Sequence, residues 1–160
     1  MDSSIFDLSS EVVTTAVEHN RKIGFAESLT GGMISASVVS VPGASACLEG
    51  SIVSYSNEVK INVLGVDKDV ITSYGAVSEQ CAKQMAEGAV KALGCDCAVS
   101  VTGIAGPTGG SDRKPVGTVY IGYAEDGVSY AEHFLFEGDR EEIRQQTVKQ
   151  ALTMLLKNIR

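Results

Sequence analysis

The stretch of the chain with the clearest chemical potential is Ala-Glu-Ser-Leu-Thr-Gly-Gly at residues 26–32. An apolar run precedes it and a run of helical composition follows it, so we interpret it as a tight turn from a strand to a helix. Amides at the start of a helix lack intrahelical acceptors and carry the positive end of the helix dipole, so they suit an anion or a developing oxyanion. Ser28 is therefore a candidate nucleophile. The alternative is that its hydroxyl caps the helix.

A serine nucleophile needs a base, because a serine hydroxyl is a poor attacking group on its own. The two histidines, His19 and His133, lie in a predicted helix and a predicted hairpin, and neither belongs to a turn-rich segment. Lys60 is the better candidate, since it follows the polar segment 54–57 on a helix that leaves a strand. As a base it needs a pKa near about 7 in place of about 10.4, which burial in a cleft can supply. The alternative is a solvated lysine on a helix surface.

Three further polar residues have two interpretations each. Tyr55 is either a half-buried strand aromatic or a hydroxyl that relays the proton and orients the substrate. Arg140 and Arg144 open the last predicted helix, where cations oppose the helix dipole. An anionic partner explains both arginines, and ion pairs with neighbouring glutamates explain them equally well.

The loop Thr-Gly-Ile-Ala-Gly-Pro-Thr-Gly-Gly at residues 102–110 follows a predicted buried strand, where ligand loops gather in α/β sheets. Its free amides are suited to form a nest for a phosphate. The loop lacks the Gly-Lys-Ser or Gly-Lys-Thr that ends a P-loop, and Pro115 and a strand follow it where a dinucleotide fingerprint needs a helix. The alternative is an ordinary surface turn.

Composition narrows the class of protein. The chain has 160 residues and is 44% hydrophobic, which predicts one core and a single domain over 1–160. Its net charge of −7 disfavours nucleic acid and anionic membrane surfaces as partners. No apolar run approaches the roughly twenty residues that span a bilayer, and the start of the chain lacks a basic region, so we expect a cytoplasmic protein.

The four cysteines are expected to be reduced thiols, because a chain of this size folds without disulfides and no export signal is visible. Cys95 and Cys97 are the only pair with a spacing close to that of metal ligands, and neither histidine is near them in sequence. We therefore expect no metal. A cysteine or metal hydrolase is the least favoured class of function.

Hydrophobic periodicity and turn residues predict alternating helices and strands. The predicted strands are 22–26, 51–56, 95–102, 116–124 and 128–136, the last two joined by an Asp-Gly hairpin turn. The predicted helices are 8–20, 31–40, 58–64, 67–73, one from Ser78 to Gly94, and a last one with a capping box at Asp139 and Glu142. We expect a three-layer α/β/α fold with a mixed sheet, parallel strands plus an antiparallel hairpin.

Several motifs in this order together resemble the CinA carboxy-terminal domain, the nicotinamide-nucleotide amidase family. They are residues 26–32, Tyr-Ser-Asn-Glu-Val-Lys at 55–60, Gly-Ala-Val-Ser at 75–78, the loop 102–110, Lys-Pro-Val-Gly-Thr-Val at 114–119 and Gly-Asp-Arg at 138–140. The resemblance spans nearly the whole chain. It implies a bacterial enzyme that hydrolyses the carboxamide of nicotinamide mononucleotide to nicotinic acid mononucleotide and ammonia. It also implies a Ser/Lys mechanism without a metal or cofactor, a stand-alone domain and a homodimer.

The resemblance further implies roles for individual residues. By position, Ser28 corresponds to the nucleophile, Lys60 to the general base and Tyr55 to a polar residue of the catalytic site. The expected substrate-binding residues are Thr30 and Gly31 in the oxyanion turn, Thr102, Gly103 and Gly106 in the loop, and Arg144. The alternative is a non-catalytic nucleotide-binding or partner-binding module of the same fold.

Overall fold

The computed structural model describes residues 2–160 and contains one five-stranded sheet. In chain order the strands are β1 Ile23–Glu27, β2 Leu48–Val53, β3 Cys97–Gly103, β4 Thr118–Glu125 and β5 Val128–Leu135. Their spatial order is β2-β1-β3-β4-β5. β1 pairs in parallel with β2 and β3, whereas β4 is antiparallel to β3 and β5. The predicted combination of parallel strands with an antiparallel hairpin is confirmed.

Helices cover both faces of this sheet. In the described part of the chain the α-helices are α1 Ser3–Glu18, α2 Met33–Val39, α3 Asn57–Asn62, α4 Lys68–Tyr74, α5 Glu79–Leu93 and α6 Arg140–Ile159. Helices α1, α2 and α6 pack together on one face, and α5 packs on the other with α4 against it. Each face buries its own apolar cluster. The predicted three-layer α/β/α fold is confirmed.

The central strand β3 shows how sequence assigns residues to the two layers. Successive strand residues point to opposite faces of a sheet. Val99 and Val101 belong to the larger apolar cluster, on the side of α1 and α6. Ala98 belongs to the smaller cluster with α5, and the Ser100 hydroxyl donates to a carbonyl of that helix. Thr102 follows at the same spacing, so it lies on the α5 side at the carboxyl end of the strand.

The second strand begins earlier than predicted. It was expected at 51–56 after a loop, but β2 starts at Leu48 because its first residues already pair with β1. The segment before it forms a short 3-10 helix, Ala44–Ala46. The strand ends at Val53, so the polar residues that follow it are free to turn into α3.

The helix caps are mostly where the sequence placed them. Ser78 caps α5 through the Cys81 amide, and the capping box between Asp139 and Glu142 is present. Two helices begin earlier than predicted. Ser56 caps α3, which begins at Asn57, and the Asp2 carboxylate caps α1, which begins five residues before the predicted start.

None of the helices among residues 2–160 combines the length and apolar composition that a membrane span requires. The four cysteines are buried and free.

Candidate active site

Ser28 follows β1 directly, at the carboxyl edge of the parallel strands. It is largely buried, with 7% of its surface exposed. Gly32, with a φ of 103°, occupies the N-cap position of α2, so Ser28 is not the helix cap. The alternative interpretation of this serine is wrong, and its hydroxyl is available to another partner.

The first turn of α2 is capped by Glu27, the last residue of β1. Its buried carboxylate accepts the amides of Ile34 and Ser35 at 2.9 and 3.1 Å. It also accepts the hydroxyls of Thr30, Ser35 and Ser51 at 2.7, 2.9 and 2.8 Å. These bonds hold the turn after β1 in place. They also occupy α2 amides that the sequence analysis had assigned to an anion.

The turn itself offers other backbone donors. The Gly31 amide donates to the Ser28 carbonyl at 3.1 Å, whereas the amides of Leu29 and Thr30 have no acceptor within residues 2–160. Leu29 also lines the cavity in front of Ser28. The Leu29 amide is therefore a candidate donor for an oxyanion at this hydroxyl.

Lys60 meets Ser28 inside the molecule. It lies one turn into α3 and is buried, with 2% of its surface exposed. Its Nζ atom lies 3.0 Å from Oγ of Ser28. Nζ also donates to the main-chain carbonyls of Ser54 and Tyr55 at 2.7 and 3.1 Å. The structure therefore brings together the two residues that the sequence predicted as base and nucleophile.

Nζ of Lys60 donates to the Ser28 hydroxyl and to the two carbonyls, so its three contacts use the three hydrogens of an ammonium group. When the amine loses the proton that faces Ser28, the two carbonyls keep the other N–H groups and the lone pair points at the Ser28 hydroxyl. Burial lowers the pKa of Lys60, because desolvation disfavours the charged form, with a smaller opposing effect from Cys81. The arrangement suits a general base.

A cavity of about 260 Å³ opens in front of Ser28 and Lys60. Five of the predicted site residues line it, namely Ser28, Tyr55, Lys60, Thr102 and Gly103. Four others lie outside its lining, namely Thr30, Gly31, Gly106 and Arg144. The side chain of Thr30 points to the Glu27 carboxylate, so only its amide remains as a candidate donor.

Thr102 and Tyr55 form parts of the cavity wall in different ways. The buried Thr102 hydroxyl donates to the Ala76 carbonyl at 2.9 Å, which ties the segment 75–78 to the end of β3. Tyr55 is 65% exposed at the cavity edge. Its hydroxyl accepts a long hydrogen bond of 3.5 Å from Arg140.

The two arginines at the start of α6 have separate positions. Arg140 lines the cavity, and its Nη1 donates to the Gly106 carbonyl at 2.7 Å. Arg144 lies behind the nucleophile turn, where its Nε and Nη2 donate to the carbonyls of Leu29 and Thr30 at 2.8 and 3.2 Å. Arg144 therefore supports the turn, and Arg140 is the arginine that lines the cavity.

Comparison with known proteins identifies the family of the chain. The family model described as the CinA C-terminal domain matches residues 5–159. The chain belongs to the CinA C-terminal domain family. Among solved structures, this CinA domain is similar to the competence/damage inducible protein CihA from Agrobacterium tumefaciens, with 38% identity, a TM-score of 0.95 and coverage of 98% and 96% of the two chains. It is also similar to the competence or damage-inducible protein from Enterobacter asburiae, with 27% identity, a TM-score of 0.93 and 98% of each chain covered.

Curated bacterial relatives of this CinA domain are longer proteins. It is 45% identical to a CinA-like protein of Fervidobacterium nodosum over 159 residues, which is 99% of this chain and 38% of that protein. It is 48% identical to a CinA-like protein of Dictyoglomus turgidum over 153 residues, which is 95% of this chain and 37% of that protein. The chain thus spans well under half the length of these relatives.

Sequence reasoning missed several residues that line the cavity of this CinA domain. Asn57 and Val77 lie inside motifs that were noticed, but no role was assigned to them. Arg140 was noticed as well, in the Gly-Asp-Arg motif, and the ligand role was assigned to Arg144 instead. The signal that distinguishes the two arginines is a contact with Gly106, which is 34 positions away in the chain.

Proposed function

We propose that this CinA domain hydrolyses the carboxamide of nicotinamide mononucleotide to nicotinic acid mononucleotide and ammonia. The observation that carries the proposal is the 3.0 Å contact between Nζ of the buried Lys60 and Oγ of Ser28. A serine paired with a buried lysine is a known way to activate a hydroxyl for attack on an acyl group. The motif resemblance supplies the substrate, and the geometry supports the class of reaction.

In the acylation step, Ser28 Oγ attacks the carboxamide carbon while its proton passes to Nζ of Lys60. The carbonyl oxygen becomes an oxyanion that the Leu29 amide stabilises. When the tetrahedral intermediate breaks its carbon–nitrogen bond, Lys60 returns the proton to the departing nitrogen. Ammonia leaves, and an ester between Ser28 and the nicotinoyl group remains.

In the deacylation step, water attacks the ester carbon and gives its proton to Lys60. The new oxyanion uses the same backbone donor, and its collapse breaks the ester bond. Lys60 then protonates Ser28 Oγ, which restores the free enzyme and releases nicotinic acid mononucleotide. No second base is required, because one amine transfers each proton in turn.

The substrate has features that suit this site. Its pyridinium ring withdraws electrons from the carboxamide, which makes the amide carbon easier to attack. A cavity of about 260 Å³ is small beside the ~300–1,000 Å³ of typical ligand pockets. It therefore accommodates the nicotinamide end, while the rest of the nucleotide extends past its mouth. The dyad is complete within one chain, so the homodimer that we propose from the resemblance is not needed to assemble it.

The test is release of ammonia from nicotinamide mononucleotide by the purified chain and by Ser28→Ala. We expect Ser28→Ala to lower kcat by at least about a thousandfold, because the residue forms the covalent intermediate. Ser45→Ala, at an exposed position, is the matched control and should keep full activity. Circular dichroism should show that both variants remain folded.

A folded Ser28→Ala protein with wild-type turnover would exclude the mechanism. Calorimetric binding of the mononucleotide by the wild-type chain with no ammonia release would instead support the alternative of a non-catalytic binding module.

A further inference from the structure

A second cavity lies beside the catalytic one and takes no part in the mechanism above. Its volume is about 550 Å³, more than double that of the catalytic cavity. The loop between β3 and β4 lines it together with the end of α4 and the start of α5. Its polar and charged lining residues include Ser73, Ser78, Glu79, Ser111, Arg113, Lys114 and Tyr120.

The two cavities share a wall. Val77 lines the catalytic cavity, and its neighbour Ser78 lines the second one. Thr102 of the catalytic cavity lies opposite Tyr120 of the second cavity in the β3–β4 ladder. Directly opposite residues in antiparallel strands project to the same face of the sheet. The two cavities are therefore neighbours on the α5 side of the sheet.

The second cavity collects two cations in a chain whose net charge is −7. A tight turn presents both: the Ser111 amide donates to the Lys114 carbonyl at 2.9 Å, and the Lys114 amide donates to the Ser111 hydroxyl at 3.1 Å. Nζ of Lys114 donates to the Tyr74 carbonyl at 2.6 Å, which fixes the ammonium group at the wall and leaves two of its hydrogens unused. Arg113 has no hydrogen bond or ion pair with any described residue.

The other polar groups of the cavity also favour an anion with several oxygens. The hydroxyls of Ser73 and Tyr120 have no hydrogen-bond partner within residues 2–160, so they remain available as donors. Glu79 is the one carboxylate among the lining residues, and the two cations outnumber it. A phosphate group accepts hydrogen bonds on three oxygens and pairs well with arginine. A carboxylate has only two acceptor oxygens, so it would use fewer of these donors.

We propose that this second cavity binds the phosphate group of a phosphomonoester through Arg113 and Lys114. The phosphate has two sources with the same chemistry. It belongs either to the nucleotide substrate, which then lies across both cavities, or to a separate phosphorylated molecule. If the phosphate is that of the nucleotide substrate, this proposal rests on the proposed function, and Arg113 and Lys114 then bind the phosphate end of the mononucleotide.

The first experiment measures binding without turnover, by calorimetry with inorganic phosphate on the Ser28→Ala chain. Arg113→Gln in that background should bind phosphate about tenfold more weakly, as expected for the loss of one charge-assisted hydrogen bond. Lys157→Gln removes the same charge from an exposed position on α6 and should not change the affinity. Lys114→Gln should weaken binding too, with its thermal stability measured because Lys114 also anchors the end of α4.

Equal phosphate affinity in Arg113→Gln and in its parent would overturn the proposal, as would the absence of phosphate binding by the parent. Since this measurement involves no turnover, its result does not depend on the amidase reaction. If the chain releases ammonia but does not bind phosphate in this cavity, the proposed function stands and the phosphate site is excluded.

A competition experiment identifies the source. If the phosphate is the substrate's own, inorganic phosphate and nicotinamide mononucleotide exclude each other. Arg113→Gln then raises KM for the mononucleotide about tenfold, while KM for nicotinamide riboside, which lacks the phosphate, stays unchanged. If the phosphate belongs to a separate molecule, phosphate and the mononucleotide bind together, and Arg113→Gln changes only the affinity for phosphate.

Discussion

Nζ of Lys60 lies 2.7 Å from the Ser54 carbonyl, and the Ser54 amide donates to the Glu27 carbonyl at 2.7 Å. Through these contacts, the end of β2 holds Lys60 beside the end of β1, which Ser28 follows directly. The contacts follow the parallel register in which Glu27 lies opposite Val53. Because main-chain oxygens hold the amine, its position depends on how the two strands pair and not on an acidic side chain.

The first prediction concerns the pH dependence of kcat/KM. The proposed active form has a neutral Lys60, and burial lowers the pKa of Lys60, so kcat/KM should rise with pH and level off below about 10.4, the ordinary value for lysine. Below the midpoint we expect a rise of about tenfold per pH unit, for the loss of a single proton. Initial rates of ammonia release from about pH 5 to about pH 9 measure the profile.

Lys60→Arg is the control for that profile. A guanidinium stays protonated across this range, so the variant should lose at least about a thousandfold in kcat/KM at every pH. A profile that falls as pH rises, or an active Lys60→Arg enzyme, would show that the amine is not the base.

The second prediction concerns the buried carboxylate of Glu27, which accepts five hydrogen bonds at the start of α2. Glu27→Gln keeps the shape but replaces one acceptor oxygen by an NH₂ group that faces other donors. We expect a loss of about 2–4 kcal/mol in the free energy of unfolding, because buried donors lose a charged acceptor. For a chain of this size the melting temperature should fall by roughly 5–10 °C.

Thermal unfolding followed by circular dichroism measures that loss. Ser35→Ala removes one hydroxyl bond to the same carboxylate and should cost only about 1 kcal/mol. The kcat of Glu27→Gln should also fall, since the turn that carries Ser28 loosens. A Glu27→Gln chain as stable as the wild type would contradict this account of the turn.

The sequence predicted the dyad because each member lies in a short motif next to the end of a strand. Ser28 follows an apolar run and precedes two glycines, and Lys60 follows a polar segment by one turn. The role of Glu27 could not be predicted, because two of its partners are α2 amides seven and eight positions away and a third is Ser51 on β2. The capping rules that apply to short sequence windows do not include such long-range contacts.

The early start of β2 was missed for a related reason. Leu48 and the Glu and Gly that follow it do not have strand composition, and their pairing with β1 decides their conformation. The overall architecture was easier to predict. The periodicity of α5 and α6 and the Asp-Gly hairpin between β4 and β5 are local signals, and local signals were sufficient for the layers of this fold.

The third prediction concerns the tether between Thr102 and Ala76. Thr102→Val keeps the side-chain shape but removes the donor of a partly buried 2.9 Å hydrogen bond, which leaves the Ala76 carbonyl without this partner. We expect a loss of about 1–2 kcal/mol in the free energy of unfolding. KM should rise about tenfold, because the segment 75–78 of the cavity wall is no longer tied to the end of β3. Thr102→Ser restores the donor and should recover most of the affinity. If Thr102→Val and Thr102→Ser behave alike, the hydroxyl does not hold the wall.

The last prediction separates the two arginines of α6 by steady-state kinetics. Arg144 donates to the carbonyls of Leu29 and Thr30, so Arg144→Gln should lower kcat by about tenfold to a hundredfold with little change in KM. Arg140 lines the cavity and holds the loop at Gly106, so Arg140→Gln should act mainly on KM. The two substitutions remove the same charge from positions one helical turn apart, and each is therefore the control for the other. A larger KM effect in Arg144→Gln than in Arg140→Gln would reverse the assignment and return the ligand role to Arg144.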